Sequence, residues 1–188
     1  SHEGEVLAMG ASTFTVDHQQ QSLPYASAEA LAAPQIFGNG GTAFTNEEFT
    51  EATFVAQRQQ NPYRVVHLAT HANFRDGGVE NSYIQFWNEQ LSVSDLGRLS
   101  LGSPTVDLLI LSACRTAVGS AEAELGFAGL TVKAGARTAI ASQWEVNDRA
   151  TMILMTYFYH FFNDPNVTTK AEALQRAQLF LLENPVEI

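Results

Sequence analysis

Leu108-Leu109-Ile110-Leu111-Ser112-Ala113-Cys114 is a run of four large apolar side chains that closes on two small residues and the chain's single cysteine. A short apolar run bounded by polar or small residues reads as a strand buried on both faces. Working outward, Val65-Val66-His67-Leu68-Ala69 closes on Thr70-His71, Val6 to Met9 closes on Gly10, and Ala139 to Ala141 closes on Ser142. Each has the same character, so each is predicted to be a buried strand.

The intervening stretches carry helix signals. Thr45-Asn46-Glu47-Glu48 and Thr169-Lys170-Ala171-Glu172 place a threonine three residues before a glutamate, the pattern in which cap and carboxylate satisfy each other's backbone donors. Phe49, Ala52 and Ala56 follow on one helical face in the first, and Leu174, Ala177 and Leu181 in the second, with Asn61-Pro62 stopping the first helix. Further helices are predicted from Ala123 to Ala134, ending at Gly135, and from Asp148 to Phe162. Ser82 to Leu91 alternates around Asn88-Glu89-Gln90 and predicts a hairpin. Gln19 to Gly41 carries no clear pattern. Strands separated by helices require crossover connections, hence an α/β fold: a mostly parallel central sheet with helices on both faces, in three layers. The 188 residues fit one domain, 1–188, long enough to bury roughly 70% of the unfolded surface in an ordinary core.

Composition narrows the partners. Twenty acidic residues against ten basic ones give a net charge of -10, which repels phosphate backbones and anionic lipid heads, so neither nucleic acid nor a membrane is an expected partner. The apolar runs are far shorter than a membrane span. One cysteine excludes an internal disulfide and suits a reducing, cytoplasmic setting. The chain begins Ser1-His2, so a fragment of a longer protein is expected.

In a parallel sheet the functional crevice lies beyond the carboxyl ends of the strands. There stand His71, Cys114 and Ser142-Gln143-Trp144. An imidazole and a thiol delivered to one edge by neighbouring strands form a nucleophile and its proton carrier. The competing reading of Cys114 is a buried packing residue, a common fate of cysteine. His67, four residues before His71, is read as a buried, hydrogen-bonded histidine. A zinc motif would need a glutamate base or further ligands that the spacing lacks, so no metal is expected.

The ordered set Val65-Val66-His67-Leu68-Ala69-Thr70-His71, Leu108 through Thr116, Gly126-Phe127-Ala128-Gly129 with Gly135-Ala136-Arg137, and Ala141-Ser142-Gln143-Trp144-Glu145-Val146-Asn147-Asp148-Arg149-Ala150-Thr151 resembles the CHAT family. These are caspase-like, separase-related bacterial domains often found behind TPR repeats. The resemblance implies a cysteine endopeptidase acting through a His71/Cys114 dyad and an acyl-enzyme on a protein or peptide substrate, without cofactors. It also implies an N-terminal sensor, TPR region or activator as partner. Backbone N–H groups of Ala72 and Cys114 would form the oxyanion hole. Ala72 stands where the family usually has glycine, and its extra methyl narrows the approach if glycine served for its dihedrals. Asp148, and secondarily Glu145, would recognise a basic side chain before the cut. The alternative for Asp148 is a helix cap, shared with Asn147. Glu122 and Glu124 either line the same cleft or start the next helix. A degenerate scaffold that binds partners without chemistry, or a thiol-dependent acyltransferase, are the competing functions.

Overall fold

The computed structural model describes residues 5–15, 21–38, 40–74, 82–116, 131, 134–142 and 147–185, with the backbone alone at 74 and 113–116. Each apolar run is a strand: β1 (Val6–Gly10), β3 (Val65–Phe74), β6 (Leu108–Thr116) and β7 (Ala139–Ala141), joined by β2 (Gly41–Thr45). These five lie in the order β2-β1-β3-β6-β7, all parallel. Beyond the end of β1, the antiparallel hairpin β4 (Tyr83–Gln85) and β5 (Gln90–Ser92) continues the sheet alongside β3, with Ala72 opposite Ile84. The predicted hairpin is therefore present, as is the α/β class.

Side chains alternate between the two faces because the strand period is two. Leu7, Met9, Val66, Leu68, Leu109 and Leu111 pack with Phe49, Phe54 and Phe86 on one face, under α2 (Glu51–Gln60). Val6, Ala8, Val65, Leu108 and Ile110 pack on the other against α1 (Ala26–Phe37), α3 (Asp148–Phe162) and α4 (Lys170–Glu183). Helices thus cover both faces, giving the three layers of a caspase-like sandwich. At the amino ends of the strands, the rim away from His71, Arg64 and Arg137 pair with Asp107, and Lys170 Nζ donates to the Asp107 carbonyl at 2.6 Å.

Two helix starts differ from expectation. Thr45 does not cap α2: it is the last residue of β2, paired with Gly10, and Asn46 turns the chain with φ 52°. Thr50 is the cap, accepting from Thr53 N–H at 3.1 Å. At α4 the predicted Thr169 cap accepts from Glu172 N–H at 3.1 Å, but the Glu172 carboxylate returns to the N–H of Thr168, one residue earlier. The helix α3 runs over the predicted span, Asp148–Phe162. The helix expected at 123–134 falls almost entirely outside the described residues. Its expected stop, Gly135, has φ 104°, and a Cβ there would come within 2.4 Å of the Gly102 backbone.

Candidate active site

β3 and β6 run side by side in strict register from Val65 opposite Leu108 to Ala69 opposite Ser112, and then the ladder slips. Ala72 next faces Cys114, so three steps along β3 match two along β6. The extra residue is a β-bulge, and it falls at Thr70-His71. Bulges re-aim side chains and collect beside functional sites. The consequence is that the backbone of Cys114 sits next to Ala72, one position beyond His71, on strands about 4.8 Å apart. The two strands predicted to bear the dyad are therefore neighbours that end at one edge. The thiol of Cys114 lies outside the described atoms.

The bulge is held from both sides. Thr70 Oγ1 donates to the carbonyl of Gln85 at 2.7 Å, tying β3 to the hairpin. Gln85, itself fully buried, donates through Nε2 to the carbonyls of Phe86 and Glu89 and so holds the hairpin turn. The half-buried His71 ring packs against Phe14, centroids 5.3 Å apart. Its Nε2 lies 2.6 Å from the carbonyl oxygen of Gln21. A carbonyl only accepts, so Nε2 carries the proton, and in the neutral ring Nδ1 is the basic nitrogen. Ala72 is buried, between Ile84 of β4 and Cys114 of β6, so its N–H lies in the plane of the sheet.

Asp148 is the first residue of α3, but the cap is Asn147, whose Oδ1 accepts from Ala150 N–H at 3.0 Å. Asp148 reaches elsewhere: its Oδ2 accepts the N–H of Tyr25, 2.6 Å away, at the start of α1. Burial pushes its carboxyl above the ordinary value; the Tyr25 N–H opposes this, the charge of Glu29 adds to it, and that of His71 opposes it. Of these influences on Asp148 that of His71 comes last. The segment from Gln21 to Tyr25 touches both, with its carbonyl on His71 and its N–H on Asp148. Glu145, Glu122 and Glu124 lie outside the described residues.

His67 occupies the buried role read for it. It is fully enclosed, with Nε2 2.7 Å from Glu29 Oε1 and Nδ1 2.8 Å from the Tyr159 hydroxyl. Among the described residues no group of three or more His, Cys, Asp or Glu is arranged to hold a metal ion. Sequence reasoning missed Glu29, Tyr159, Gln21 and Tyr25. The first, third and fourth belong to the stretch without a clear pattern, and Tyr159 is one aromatic among several in α3.

The family model for the CHAT domain matches residues 1–187. The chain belongs to the CHAT family. No curated protein matches the sequence. CHAT domains are a caspase-like family related to cysteine peptidases, and the parallel sheet of this CHAT domain, with its histidine and cysteine strands adjacent, has the corresponding architecture. No helix among the described residues is long and apolar enough to cross a membrane. Near the carboxyl ends of β6 and β7 the domain also has a cavity of about 360 Å³, lined by Ile110, Ser112, Ile140, Ser142, Thr151 and Leu154 among others.

Proposed function

We propose that this CHAT domain is a cysteine endopeptidase in which Cys114 attacks the scissile carbonyl and His71 carries the proton. The observation that carries the reading is the slipped register that sets Cys114 beside Ala72, one position from His71. His71 Nδ1 takes the thiol proton while Gln21 holds Nε2–H, and the thiolate adds to the carbonyl carbon. The oxyanion that forms is met by the backbone N–H groups of Ala72 and Cys114. The imidazolium then protonates the departing amine, the C–N bond breaks, and a thioester to Cys114 remains. Water, deprotonated by His71, hydrolyses it.

Asp148 is the recognition carboxylate for Arg or Lys before the cut in this reading. Tyr25 N–H pins its Oδ2, and a substrate guanidinium pairs with the remaining acceptor positions. Glu145 assists. The substrate is a protein segment, delivered under the control of an N-terminal sensor, TPR region or activator in a bacterial cytoplasm.

Iodoacetamide tests the nucleophile. An activated thiolate is alkylated quickly below pH 7, whereas a packed thiol reacts only on unfolding, because unperturbed cysteine titrates near 8.5. Peptides bearing Arg, Lys, Asp or Leu before the cut then compare wild type with Cys114→Ala. Equal cleavage by both proteins overturns the proposal. A second reading, a caspase-like scaffold without chemistry, is favoured by one feature: the buried Ala72 N–H lies in the sheet plane. It predicts a slow thiol and no cleavage.

A further inference from the structure

We infer that Glu29, His67 and Tyr159 form a buried positioning relay that sets His71 and Asp148 for the proposed chemistry, an inference that rests on the peptidase reading for its purpose but not for its geometry. The three side chains are at most 3% exposed. His67 Nε2 lies 2.7 Å from the Glu29 carboxylate, so it donates there. The Tyr159 hydroxyl, 2.8 Å from Nδ1, donates to it in the neutral ring. Burial and the charge of Glu29 hold that hydroxyl well above its ordinary pKa, so it stays an O–H. Ser112 Oγ approaches Nε2 at 3.4 Å.

Stability alone does not account for such a cluster. Replacing buried ionic groups by apolar side chains of similar volume is commonly neutral or stabilising. What a fully bonded polar network supplies is a single geometry. Each member stands on an element that carries part of the candidate site. Glu29 is one turn after Tyr25 in α1, its N–H bonded to the Tyr25 carbonyl at 2.8 Å, and Tyr25 N–H holds Asp148. His67 is on β3, four residues or about 13 Å below His71. Tyr159 is on α3, the helix that Asp148 begins.

The buried apolar face of α1 is alanine over its first two turns, and its large apolar residue, Phe37, lies at the far end against Tyr159 and Phe162. Ala26, Ala30 and Ala33 are the buried alanines, and at Gly10 a Cβ would come within 2.9 Å of the Ala26 carbonyl. Small side chains let the helix approach closely, but they interlock weakly along its axis. The Glu29–His67 bond adds axial register at the end of α1 nearest the site, away from Phe37. A helix displaced by an ångström carries the Gln21 carbonyl off His71 Nε2 and the Tyr25 N–H off Asp148 together.

The test compares an apolar triple variant, Glu29→Met, His67→Leu, Tyr159→Phe, with Glu29→Gln, which retains an acceptor for His67. Both are required to show cooperative thermal unfolding first. The readout is the ring ¹H–¹⁵N spectrum of His71, whose Nε2 proton, bonded to the Gln21 carbonyl at 2.6 Å, is expected to exchange more slowly in wild type than in a variant that loses that bond. The triple variant is expected to accelerate that exchange at least about tenfold, and Glu29→Gln to leave it near wild type. If the triple variant fails to fold, Tyr159→Phe alone replaces it, with the same direction expected. An unchanged His71 signal in the folded triple variant, or in folded Tyr159→Phe where that replaces it, overturns the relay, whatever peptide cleavage shows. Cleavage, where present, is expected to lose roughly 100-fold in kcat with little change in KM, the signature of misplaced reacting groups. A slow wild-type thiol with a displaced His71 signal would instead sink the peptidase reading and leave the relay standing.

Discussion

Replacing Asp148 by Asn separates recognition from the tie to Tyr25 N–H. The side chain keeps its shape and one carbonyl oxygen, so it still accepts from Tyr25 N–H. A hydrogen bond to a charged partner contributes about 1.5–3 kcal/mol and a neutral one about 0.5–1.5, so the bond weakens by about 1 kcal/mol. Against this, burial opposes the charged form, and Asn has no charge to bury. The terms have opposite sign, and stability at pH 7 is expected to stay within about 1 kcal/mol of wild type. Because folding raises this carboxyl's pKa above 3.8, its contribution is complete below that value and is lost as the pH rises through the folded pKa. The wild type should therefore weaken relative to Asp148→Asn between acid and neutral pH, read from urea unfolding at each pH. Cleavage is the discriminating assay. Losing a charge-assisted bond to a substrate guanidinium costs about 1.5–3 kcal/mol, or about 10- to 150-fold in kcat/KM for a peptide with Arg before the cut. A Leu peptide should be cleaved as before. Equal losses on both peptides, or none on Arg, would refute the recognition role and leave Asp148 as a tie between α1 and α3.

Two further outcomes follow from the same geometry. Thr70→Val removes the hydroxyl that bonds the Gln85 carbonyl and leaves that buried acceptor short, so urea unfolding should show a loss of about 1–3 kcal/mol, with slower alkylation of Cys114 as the bulge relaxes. Gly135→Ala adds a Cβ against the Gly102 backbone at a residue with φ 104° and should cost at least about 1–3 kcal/mol, measured the same way, with the alkylation rate unchanged.

The strands were legible because Val65 to Ala69 and Leu108 to Leu111 are buried on both faces, and an apolar run too short for a helix has few places to go except the middle of a sheet. Their carboxyl ends followed from the same pattern, which is why His71 and Cys114 stand out in the sequence. The slip between Ala69 and Ala72 could not be read, since a bulge is a property of two strands and the sequence of each looks regular. The helix α1 was invisible for a different reason. It contains Pro34, and its buried positions are mostly alanine, with Phe37 alone at the far end as a large apolar residue, so no stripe of large side chains marks its face. Glu29 was lost with it, so half of the His67 arrangement left no trace in the hydrophobic pattern. Thr45 misled because a Thr-x-x-Glu pattern is purely local, and pairing with Gly10 claimed the residue for β2.

The one-residue surplus in β3 also bears on attempts to stabilise this protein. Any redesign that rewards an unbroken ladder, by deleting a position near Thr70 or by favouring flat, evenly spaced pairing, would rotate everything downstream by half a period and turn the imidazole toward the opposite layer. Such a molecule would lose the arrangement on which the proposed chemistry depends, so the irregular spot is the last place an engineer should tidy.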